Sequence, residues 1–74
     1  MKHLKYKVLI EKSKTGFAAY VPDLPGCVAM GSTKKDAIKL IKEGIEFHIE
    51  GLQLNGYEIP RPESEVIDVT VEVA

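Results

Sequence analysis

Apolar and polar residues alternate from Leu4 to Glu11, with Leu4, Tyr6, Val8 and Ile10 on one side and Lys5, Lys7, Leu9 and Glu11 on the other. A period of two, carried by β-branched and aromatic residues, predicts a half-buried strand. The K-S-K-T-G run at Lys12–Gly16 predicts a hairpin loop. Phe17–Val21 predicts a second strand, which Pro22 ends because its nitrogen carries no donor. Cys27–Met30 predicts a third, short strand. The period then lengthens. Thr33–Leu54 reads as a helix, with Thr33 and Asp36 matching a capping box that contributes on the order of 1 kcal/mol. Asn55-Gly56 is a helix stop. Tyr57–Glu65 holds Pro60 and Pro62 and reads as an extended connection. Val66–Val73 alternates again, Ile67, Val69, Val71 and Val73 against Val66, Asp68, Thr70 and Glu72, and predicts a last strand.

The order β-β-β-α-β predicts an α+β fold in a single domain spanning residues 1–74. The first three strands form an antiparallel meander. A right-handed crossover through the helix can lay the last strand parallel to the first. The product is one sheet of about four strands with one helix across a face.

Val21–Thr33, V-P-D-L-P-G-C-V-A-M-G-S-T, is the hinge of this plan. Pro25-Gly26 suits the centre of a type II turn, where the second residue takes a positive φ. Asp23 can close an Asx-type turn on the amides just ahead of it. Asp23, Leu24 and Pro25 are expected as an exposed loop beside a contact surface.

The helix carries more apolar surface than one sheet requires. With Leu40 at 0° and about 100° per residue, Ala37, Ile38, Ile41, Ile45, His48, Ile49 and Leu52 form a core stripe. Leu40, Gly44, Phe47, Gly51 and Leu54 form a second stripe beside it. Together they span roughly 220°, against the 100° or so of an ordinary surface helix. Gly44 and Gly51 each cost about 1 kcal/mol relative to alanine in a helix interior. Two readings remain open: residues 57–65 fold back over the second stripe, or Leu40, Phe47 and Leu54 meet a partner.

Composition bounds the function. The 74 residues are 45% hydrophobic and 28% charged, an ordinary globular composition with a core small enough to favour a homo-oligomer or a partner. Cys27 is the only cysteine, so no internal disulfide forms and no multi-cysteine zinc site is possible. With no secretory or membrane-spanning pattern, the expected setting is the cytoplasm, away from membranes. Net charge is −1 but uneven: residues 1–42 carry +6 and residues 43–74 carry −7. Either the two halves neutralise each other on a solvated surface, or one of them faces a charged partner.

Catalytic and cofactor motifs are missing. His48 lies on the core stripe, Cys27 has no base cue nearby, and the serines and threonines lie in turns, the cap and the last strand. Two-metal nuclease chemistry needs clustered carboxylates, and the first strand offers none in its interior. No Walker loop, dinucleotide fingerprint or RNA-stacking aromatic pair occurs. No enzyme activity and no cofactor are expected.

The run G-F-A-A-Y-V-P-D-L-P-G-C-V-A-M-G-S-T-K-K-D-A-I at Gly16–Ile38, with N-G-Y-E-I-P-R-P at Asn55–Pro62, closely resembles the HicB antitoxin family. The family signature is an aromatic strand, P-D-L-P-G-C, a short strand to G-x-T, a helix beginning near x-E-A, and a late I-P-x-P. Asp36-Ala37 stands at the E-A position, a mild departure. The resemblance implies a truncated ribonuclease H-like domain without that fold's nuclease centre. It implies binding to, and neutralisation of, a HicA-type toxin, a small ribonuclease that cleaves mRNA. Many members add a C-terminal DNA-binding domain. The chain stops at Ala74, so a single-domain protein without direct operator binding is expected. The alternatives are a small nucleic-acid-binding domain using the lysine-rich half, and an orphan homo-oligomer.

Overall fold

The N-terminal alternation forms a strand only where it finds a partner. In the computed structural model, which describes residues 3–74, β1 is Leu9–Ser13, β2 is Gly16–Tyr20, β3 is Val28–Gly31 and α1 is Lys34–Leu54. β1 pairs antiparallel with β2 from Leu9 opposite Tyr20 to Ser13 opposite Gly16. β2 pairs antiparallel with β3 from Phe17 opposite Gly31 to Tyr20 opposite Val28. Pro22 stops β2, so Leu4–Val8 run past its end with no strand beside them. At the other end the ladder continues to Ser13 and Gly16, which leaves a two-residue turn at Lys14-Thr15, shorter than the loop expected at Lys12–Gly16.

The sheet order is β1-β2-β3, and α1 packs across one face. The α+β class and the helix on one face stand as expected. Inward-facing Ala19, Val21, Leu24, Cys27, Ala37 and Ile41 form the buried core, with Tyr6, Val8, Ile10, Phe17, Ala29 and Ile45 against it. The helix approaches β3 closely at its first turn. A Cβ on Gly31 would lie 2.5 Å from the Ala37 nitrogen, so no side chain fits there.

Local chemistry sets both helix ends. The Thr33 hydroxyl accepts from the Asp36 amide at 3.1 Å. At the other end the Gly56 amide donates to Gln53 at 3.1 Å and the Tyr57 amide to Leu52 at 2.9 Å, with Gly56 at φ 71°. That pair of bonds is a Schellman stop.

The fourth strand is where the structure departs from the pattern. Among the described residues three strands pair, and Val66–Val73 has no ladder partner within the chain. The connection before it is held at two points. The Tyr6 hydroxyl donates to the Pro60 carbonyl at 2.5 Å. The Ser64 hydroxyl and amide both donate to the Asp23 carboxylate, at 2.7 and 3.0 Å. Ser64 is thereby tied to the loop joining β2 and β3. The chain beyond it is exposed throughout, and the described chain as a whole measures 51 × 27 × 21 Å along its principal axes.

Candidate partner-binding surface

The loop between β2 and β3 is two turns in series. The Leu24 amide donates to the Val21 carbonyl at 3.1 Å, and the Cys27 amide donates to the Leu24 carbonyl at 3.0 Å. Pro25 and Gly26 are the central residues of the second turn, and Gly26 has φ 85°, as a type II turn requires. The Val21 amide closes the loop on the Cys27 carbonyl at 3.3 Å. This double turn rotates Leu24 inward, where it is fully buried. Leu24 is therefore a core residue in this structure, and of the three loop positions only Pro25 is fully on the surface.

Asp23 does not cap its own loop by an Asx turn. It instead receives Ser64 from 41 residues away. The Ser64 hydroxyl, then the Ser64 amide, hold its carboxyl below the ordinary range, against a smaller upward push from desolvation. Burial, followed by the negative charge of Asp23, pushes the Tyr6 hydroxyl up, so it remains a donor to Pro60. Asp23 is thus the clasp that fixes the C-terminal connection.

The second helix stripe is not covered by residues 57–65, which run instead to Tyr6 and Asp23. Leu40, Phe47 and Leu54 are 42%, 78% and 80% exposed. They lie on the side of α1 toward β3. A Cβ on Gly44, in the same stripe, would sit 3.8 Å from the Cys27 sulfur just before β3. That is an ordinary contact, so an alanine would fit at Gly44 as well. Nothing lies within 4 Å of a Cβ at Gly51, so the chain itself gives no packing reason for that glycine. An open cleft of about 500 Å³ joins Leu40 to Met30 and Phe17 at the start of the stripe.

Val28 and Met30 add exposed apolar area on β3. Their alternation with half-buried Ala29 was readable as an outward face. The surface is then an apolar stripe of Leu40, Phe47 and Leu54 beside the unpaired edge of β3, with Val28 and Met30 exposed on the outer face of that edge strand. Such an edge offers free backbone donors and acceptors, and the stripe offers side-chain contacts.

No acid–base or metal-binding constellation accompanies it. No group of three or more His, Cys, Asp or Glu able to hold a metal occurs among the described residues. Burial pushes the Cys27 thiol up, away from the nucleophilic thiolate. No helix among the described residues is long and apolar enough to cross a membrane.

Comparison with known proteins finds relatives along nearly the whole chain. A family model described as the HicB_like antitoxin of a bacterial toxin-antitoxin system matches residues 6–72. A UPF0150 protein of Thermoplasma acidophilum is 45% identical over 67 residues, covering 89% of this chain and 97% of the relative. An uncharacterised 14.9 kDa protein of Haemophilus phage HP1 is 43% identical over 56 residues, covering 76% of this chain but only 42% of the phage protein. A chain of a solved HicA3 and HicB3 toxin-antitoxin complex superposes with a TM-score of 0.69 at 37% identity, covering 81% of this chain and 70% of that one. The match across nearly the whole chain makes this protein a member of the HicB-like antitoxin family.

Proposed function

We propose that this chain is a non-catalytic antitoxin that binds a HicA-type, mRNA-cleaving toxin in the cytoplasm and neutralises it by occlusion. The observation that carries the reading is the exposed band of Leu40, Phe47 and Leu54 beside the free edge of β3. A single domain leaves such a contiguous apolar surface exposed chiefly where something covers it. The likeness to a chain of a toxin-antitoxin complex supports a toxin as the cover.

Charge favours the same partner. Glu43 lines the cleft beside Leu40, and Glu50 follows about one turn after Phe47 along the same side of the helix. An acidic rim speeds encounter with a basic, RNA-binding protein more than it adds affinity. Pro25 extends the surface from the loop, while Asp23 and Leu24 hold that loop in shape.

The test is rescue of growth. Expression of a cognate HicA-type toxin is expected to arrest cells, and co-expression of the parent chain to restore growth. Phe47→Glu, which alters an exposed position, leaves the fold intact and loses the rescue. If the parent chain neither binds the toxin nor restores growth, the reading fails.

A further inference from the structure

The chain ends in a strand without a sheet. Val66–Val73 keeps a strict two-residue alternation, yet Val66, Ile67, Val69, Val71 and Val73 are 58–87% exposed. β1 meanwhile has one paired edge and one free edge. Below that free edge, between the leading segment Leu4, Tyr6 and Val8 and the helix residues Ile38, Ile45 and Ile49, runs an open and mainly apolar groove of about 700 Å³. It lies on the opposite side of α1 from Leu40 and Phe47.

We propose that two copies of this chain exchange these segments. Residues 66–73 of each copy lie along the free edge of the partner's β1 and its leading segment, and Ile67, Val69, Val71 and Val73 fill the partner's groove. The exchange is reciprocal and closes as a two-fold dimer. Eight extended residues span roughly 26 Å, which suits the ten residues from Leu4 to Ser13.

Three observations select a second copy as the occupant. The first is the tether. Ser64 is bonded to Asp23 in the β2–β3 loop, and beyond it residues 65–74 are exposed and pair with no strand of their own chain. The second is charge. The receiving strand region carries Lys5, Lys7, Lys12 and Lys14 against Glu11, and the tail and its approach carry Glu63, Glu65, Asp68 and Glu72 with no lysine or arginine after Arg61. Pairing tail with tail would set acid against acid, whereas pairing tail with β1 sets acid against lysine. The third is pattern. The tail has an apolar face and a polar face, as a strand at a sheet edge over a helix requires, and the groove is apolar on the side that face would meet. This exchange goes beyond the toxin reading and uses a different side of the helix.

The test uses the full chain alone, without toxin, so that its outcome is separate from the antitoxin reading. Sedimentation equilibrium across a concentration series is expected to give a dimer of the 8.2 kDa chain. Thr70→Pro with Val71→Pro removes a donor on each edge of the tail, one of which must face the ladder. Val69→Asp with Val71→Asp leaves the backbone intact and charges the inward face. Both variants are expected to be monomers with unchanged helical circular dichroism, because the tail makes no contact essential to its own chain. Hydrogen exchange on the parent is expected to show amides 67–73 slowed in the dimer and fast once dilution gives monomer. A monomeric parent, a dimer that survives both double substitutions, tail amides that are fast in the dimer, or tail amides that remain slow in the monomer overturns the proposal.

Discussion

Leu24 is the residue whose role the structure changes most, and replacing it gives a direct test. Leu24→Ala removes three buried carbons from a side chain with no solvent exposure. At about 0.8 kcal/mol per buried methylene, transfer alone accounts for roughly 2.4 kcal/mol. The loop cannot collapse freely into the space. Three backbone hydrogen bonds, from Leu24 to Val21, Cys27 to Leu24 and Val21 to Cys27, fix its shape. A cavity cost therefore adds to the transfer cost, and the total is about 3–4 kcal/mol. Domains of this length hold roughly 4–11 kcal/mol in all. The substitution thus removes a large part of the stability. Urea unfolding at one fixed chain concentration checks it, because association would otherwise shift the midpoint. The expected result is a midpoint lower by roughly 2 M with an unchanged slope. Toxin affinity, measured well below the unfolding midpoint, is expected to stay close to the parent's. A loss under 1 kcal/mol, or a selective loss of toxin binding in a stably folded variant, would refute the placement of Leu24 in the core.

Other outcomes follow from the same contacts. Gly51→Ala stabilises the free chain by about 0.5–1 kcal/mol, because a Cβ there meets nothing and alanine is the better helix former; thermal unfolding reads it, and a destabilised variant would show that the position is packed. Gly31→Ala does the reverse, since its Cβ would sit 2.5 Å from the Ala37 nitrogen, and a Tm drop of at least several degrees is expected. The Asp23 carboxyl is held low in the folded chain, first by the Ser64 hydroxyl, so its contribution is present above the ordinary carboxylate value and is lost as pH falls through the lowered folded value. Ser64→Ala removes the largest cause, so parent and variant should differ in urea midpoint near neutrality and converge in acid. A difference that grows as pH falls would show that the clasp does not act through the ionised Asp23.

Much of this fold is written in local chemistry. Thr33 and Asp36 set one helix end, Asn55-Gly56 the other, and Pro25-Gly26 the type II turn. Each depends on residues within four positions of one another, and each stands in the structure. The alternation at Leu4–Glu11 marked the correct inward face, with Tyr6, Val8 and Ile10 against the core. It could not mark where β1 begins, because that depends on where Pro22 stops the neighbouring strand.

The less legible features are all long-range. Asp23 was expected to serve its own turn, yet its partner Ser64 lies 41 residues away, and no local rule points there. Leu24 looked like the tip of an exposed loop because the proline and glycine beside it are turn residues. Two turns in series, rather than one, carry it into the core. The alternation at Val66–Val73 specifies a strand with one apolar face but not the edge it joins. For the second helix stripe, spacing identified Leu40, Phe47 and Leu54 as one face and left its cover open. The path of residues 57–64 to Tyr6 and Asp23 removes the chain's own connection as that cover. Val28 and Met30 add exposed apolar area on the outer face of β3, beside the stripe but not on the helix side of the sheet.

The central claim is that this stripe is where a toxin binds, and a titration measures it most directly. A HicA-type toxin, purified in a catalytically inactive form, is titrated by calorimetry with the parent chain and with Phe47→Glu. The account predicts a stable complex with the parent. It predicts a loss of at least about 2 kcal/mol, roughly 30-fold in Kd, for the variant, as for a residue at the centre of an interface. The variant should keep the parent's helical signal and unfolding midpoint. Equal affinity for parent and variant, or no binding by the parent, would contradict it.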